Sequence, residues 1–105
     1  MIYNDPVFIK CFMAVLVRRF GKEDVVEGRP QMVAEDFGEL GKAAGAPSVM
    51  IRIGAVEPKQ YAAATAARTP LPSLHSAMFA PDRERTIRTA TAALVLSTLE
   101  LLRPR

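Results

Sequence analysis

Val49-Met50-Ile51-Arg52-Ile53-Gly54 is the stretch on which the fold turns. Apolar Val49, Ile51 and Ile53 alternate with Met50 and Arg52, and a period of two is that of a strand with one face covered. Gly54 ends the run where backbone can approach something closely. Upstream, Val25 and Val26 suggest a shorter strand, limited by Gly28 and Pro30. Two strands alone make a poor sheet, so further strands are expected from elsewhere.

Helices flank both candidate strands. Asp5 before Pro6 is a helix start, because the carboxylate can accept from free N–H groups and proline is tolerated in the first turn. Gly21 supplies the stop. Between them Ile9, Met13, Leu16 and Phe20 form one stripe and Phe8, Phe12 and Val15 another, leaving a narrow polar edge of Lys10, Arg18 and Arg19. Such a helix needs covering on most sides.

Asp36 and Glu39 have capping-box spacing ahead of a short helix that Gly45 ends. The Ala-rich stretch from Ala55 to Pro72, with Pro58, Pro70 and Pro72 as breakers, predicts a helical turn at Tyr61 to Ala67 inside a longer loop. Asp82 can cap a last helix, with Ile87, Ala90, Leu94 and Leu101 along one side, Val95, Leu99 and Leu102 widening it, and Pro104 closing it. The order α-β-α-β-α predicts an α/β architecture, a partial layer with helices packed on a small sheet, in a single domain over residues 1–105.

Composition narrows the function classes. With 14 Lys and Arg against 11 Asp and Glu, the basic excess is small for a nucleic-acid surface, and Asp82 and Glu84 dilute the arginines around them. The apolar run Val7 to Val17 is too short to span a bilayer, so no membrane partner is expected. Cys11 is the only cysteine and lies in that run, which predicts a buried, inert thiol and a cytoplasmic setting.

The chemistry-bearing residues are few. His75 is the only histidine, so spacing gives no local zinc cage, and by itself it reads as a structural or exposed residue. Glu35 and Asp36 are adjacent, which in extended backbone points them apart, and a helix cap is their plainest reading. No Gly-rich phosphate loop or G-x-S-x-G elbow occurs, and Ser73 and Ser76 flank His75 without a third triad member.

Three stretches in order add a second line of reading: Tyr3-Asn4-Asp5-Pro6, Met32-Val33-Ala34-Glu35-Asp36-Phe37, and Leu71-Pro72-Ser73-Leu74-His75-Ser76 followed by Phe79-Ala80-Pro81-Asp82. Together they resemble the zinc-dependent amidohydrolases of the hippurate hydrolase and aminoacylase type, metallopeptidase relatives that cleave N-acyl amino acids. The resemblance covers nearly the whole chain and places it in the C-terminal part of the catalytic domain. It implies that His75 matches the late histidine of a dinuclear site for zinc or manganese. It implies support around the active site for Glu35 and Asp36, and positions near the pocket wall for Gly54, Leu74 and Ser76.

The same resemblance marks departures. Ala77 stands where the family often has a proline, which leaves the backbone after His75 freer and alters its aim. The Cys-x-His motif, the paired glutamates with the general base and a further metal histidine would all lie upstream of residue 1. One histidine cannot sustain metal-assisted hydrolysis, so the expectation is a chain inactive alone and without tightly bound metal. Its expected partners are the missing N-terminal part of the catalytic domain or a second copy, with a small N-acyl amino acid as substrate of the parent enzyme. The alternative is a small oligomerising or interaction module derived from that fold.

Overall fold

The structure, a computed structural model, describes residues 3–29 and 36–104. They form four α-helices: α1 (Pro6–Phe20), α2 (Phe37–Ala44), α3 (Pro58–Ala67) and α4 (Arg83–Leu101). No strand occurs among the described residues, and the expected α/β layer of helices on a small sheet is thereby overturned.

The reason lies in what alternation specifies. A period of two fixes which side chains face one way, but a strand also needs a neighbour to carry a repeating ladder of hydrogen bonds. Among the described residues no ladder forms around Val49 to Ile53. The Asp5 amide donates to the Ser48 carbonyl at 3.1 Å. The Asn4 side-chain amide then takes both backbone groups of Met50, donating to its carbonyl at 3.0 Å and accepting from its N–H at 2.8 Å. One side chain thus stands in for a neighbouring peptide at a single residue. Val25 and Val26 lie in irregular backbone after α1, with Val26 exposed.

The chain divides into two compact units, Met1–Arg52 with Ala93–Arg105, and Ile53–Ala92. In the first unit α1 begins as expected: the Asp5 carboxylate accepts from the N–H groups of Val7 and Phe8, each at 3.0 Å, and Pro6 sits in the first turn. Gly21 ends it with φ of 97°, a backbone region that glycine enters without a Cβ penalty. The apolar core consists of Phe12, Val15 and Leu16 from α1 and Ala93 from α4. Phe8 meets Phe12 edge to face with centroids 6.2 Å apart. Cys11 is exposed, contrary to the buried thiol expected, because it lies off the face that Phe12, Val15 and Leu16 bury.

In α4 the fully buried side chains are small ones. Ala93 and Ser97, four residues apart and so on one face, are buried. Leu94 with Leu101, and Val95 with Leu102, each seven apart, run along another face and are exposed, as is Leu99. The apolar stripe expected for this helix exists, but the chain's own core does not cover it.

The second unit has no buried residue. Its α3 is longer than the expected turn because Pro58 starts it instead of breaking it, and the Glu57 carboxylate accepts from the Gln60 N–H at 2.9 Å. Arg68 closes α3 in left-handed backbone at φ 53°. Asp82 caps α4 as expected, accepting from the Arg85 N–H at 3.2 Å, while its own N–H donates to the Ala55 carbonyl at 2.8 Å.

Candidate functional site

His75 lies in a pair of consecutive turns between Leu71 and Ala80. The Ser76 N–H donates to the Ser73 carbonyl at 2.9 Å, and the Phe79 N–H to the Ser76 carbonyl at 3.0 Å. The Ser76 hydroxyl accepts from the Met78 N–H at 3.1 Å, so its side chain shapes the second turn. These bonds present His75 and Leu74 outward: both are exposed, Leu74 to 75%.

Gly54 lies in the same unit, exposed, with nothing within 4 Å of where a Cβ would stand. No close approach therefore requires a glycine there. A crevice of about 20 Å³ in this unit is lined by Val56, Gln60, Leu71, Pro72, Met78, Phe79 and Ala80. None of Gly54, Leu74, His75 or Ser76 belongs to that lining.

Asp36 belongs to the first unit, at the position before α2. Its carbonyl accepts from the Glu39 N–H at 2.9 Å, but its side chain makes no capping bond, so the capping box is not formed. Glu39 turns instead to Lys42, with Nζ to Oε1 at 2.6 Å, and the Lys42 ammonium holds its carboxyl below the usual glutamate range. Glu35 lies outside the described residues.

A zinc or manganese ion needs several such residues gathered in one place. Among the described residues no three of His, Cys, Asp or Glu gather closely enough to hold a metal ion. A catalytic metal takes about three protein ligands and keeps a position for water. An exposed imidazole on a turn supplies one ligand, so the described residues do not fit the ion by themselves.

A different cluster lies between α1 and the C-terminal half of α4. A groove of about 310 Å³ is lined by Val15, Leu96 and Leu99 together with Arg18, Arg19, Glu100 and Arg103. Glu100 Oε2 lies 3.8 Å from Arg18 Nη2 and 3.3 Å from Arg103 Nη1. In the sequence Arg18 and Arg19 mark only the narrow polar edge of the first helix, and nothing there ties them to Glu100 and Arg103.

No known family model matches the chain, and no curated protein or solved structure shows a significant match to it. No helix among the described residues is long and apolar enough to cross a membrane.

Proposed function

We propose that this chain is a C-terminal segment of a metal-dependent amidohydrolase of the N-acyl amino acid type, without hydrolytic activity alone, and that it works by docking onto other polypeptide. The carrying observation is α4, which buries Ala93 and Ser97 while leaving Leu94, Val95 and Leu101 exposed, with exposed Leu102 just past its end. Burying a large aliphatic side chain stabilises by roughly 1.5–3 kcal/mol, so a helix gains most by turning these outer residues to a partner. Among the described residues thirteen large hydrophobic side chains are exposed against four buried apolar ones.

Parentage is supported by the ordered motifs in the sequence. Asn4-Asp5-Pro6 opens α1 and ties its start to Met50. In the parent enzyme the partner is the N-terminal catalytic portion, which brings the remaining metal ligands and the general base, and His75 adds one imidazole. The single cysteine supports a cytoplasmic setting.

The test is hydrolysis of a panel of N-acyl amino acids with zinc or manganese added, by the chain alone and by the chain mixed with the N-terminal portion of a family enzyme. Turnover only in the mixture, lost with His75→Ala, is the expected result. Turnover by the chain alone, or none in a mixture that forms a complex, contradicts it. A second reading, a self-associating module with no hydrolase partner, is favoured by the same α4 face. It would be identified by a stable homo-oligomer that no N-terminal portion displaces.

A further inference from the structure

The groove between α1 and the C-terminal half of α4 has a composition that docking by the outer face of α4 does not use. Its apolar part is Val15, Leu96 and Leu99, and its charged part is three guanidinium groups against one carboxylate, an excess of two positive charges. Glu100 already shows what such a cluster binds, because Arg18 and Arg103 both reach the same carboxylate oxygen. Each pair engages one nitrogen of a group that carries five N–H donors. Arg19 lies over the Phe20 ring, its central carbon 5.3 Å from the centroid, a cation–π contact that does not use up its N–H donors.

We infer that this groove binds a monomeric amphiphile with a carboxylate head and a short apolar tail. The head sits on the forks of Arg18, Arg19 and Arg103, where carboxylate geometry matches guanidinium geometry. The tail lies against Val15, Leu96 and Leu99. At about 310 Å³ the space is near the lower end of small-molecule sites, roughly 300–1,000 Å³, which sets the tail short. An uncharged amphiphile leaves the excess positive charge unanswered, and acetate lacks the apolar contact. An anionic membrane is the poorer occupant, because an excess of two positive charges is small beside the cluster of about four to eight basic residues that lipid surfaces call for.

The experiment is a titration of the ¹⁵N-labelled full chain, followed by amide shifts, with octanoate below micelle formation, octanol, acetate and phosphatidylglycerol vesicles. Octanoate is expected to give saturable shifts centred on Val15, Arg18, Arg19, Leu96, Leu99 and Arg103. Octanol should bind about tenfold more weakly, as loss of charge-assisted hydrogen bonds implies. Acetate should give no saturable shifts. The double substitution Arg18→Gln with Arg103→Gln should weaken octanoate about tenfold at unchanged helix content, and Glu100→Gln should strengthen it. Equal binding of octanol, shifts centred on Leu94, Leu101 and Leu102, binding to vesicles alone, or no binding of octanoate would each overturn the proposal.

Discussion

The two compact units are held by different forces. In the first, α1 and the end of α4 take Phe12, Val15, Leu16 and Ala93 out of water. In the second, no residue of 53–92 is fully buried, and hydrogen bonds hold its turns and caps: the Glu57 cap, the two turns around His75, and the Asp82 to Ala55 contact. Net hydrogen bonds contribute about 1 kcal/mol each, whereas a buried leucine contributes two to three times that. The difference teaches where function can be anchored. A residue whose position depends on a few turns, as His75 does, gains a fixed aim by being packed against something else.

The largest expected effect separates the units directly. Leu16→Ala, at a position 5% exposed, should cost about 3 kcal/mol of stability, while Leu74→Ala, at 75% exposure, should stay within about 0.5 kcal/mol. Denaturant melts of the two variants check this, and similar costs would break the comparison. Next comes Asn4→Ala, which removes both partners of the Met50 backbone and should cost about 1–2 kcal/mol. Faster amide exchange at Met50 is the local readout.

In the second unit the expected changes are smaller and of opposite sign. Arg68 holds left-handed backbone that glycine adopts freely, so Arg68→Gly should stabilise the end of α3 by about 0.5–1 kcal/mol, seen as slower exchange in residues 61–69. The smallest effect returns to the first unit, at Glu39. Its folded-state pKa is depressed by Lys42, so its contribution is present above the unfolded-state value and is lost as pH falls through the lower folded one. An NMR titration should place its midpoint below that of an ordinary glutamate, and Lys42→Ala should return it upward.

Much of the local grammar was legible in the sequence. Asp5 with Pro6, Gly21, Gly45 and Asp82 mark helix ends where expected, because caps and stops are decided within a few residues. The strands were not legible in the same way. Val49, Ile51 and Ile53 alternate correctly, but a ladder depends on a neighbour that alternation does not name. Pro58 was misread for a related reason, since proline breaks a helix from inside and starts one from the first turn. The two faces of α4 show a further limit. The sequence shows a large apolar stripe and a small-residue face, and only packing reveals that the chain covers the latter. At the candidate site, Leu74, His75 and Ser76 come together as neighbours in one turn, while Asp36 belongs to the other unit and Glu35 lies outside the described residues.

The most direct test of the account is the mass of the chain in solution by light scattering across about a hundredfold range of concentration, compared with Leu94→Lys combined with Leu101→Lys. Docking through the outer face of α4 predicts that the chain gains mass either as concentration rises or on mixing with the N-terminal portion of a family enzyme, and that the double variant does neither with its helix content unchanged. A chain that stays monomeric in both conditions, or a variant that associates just as strongly, would contradict it.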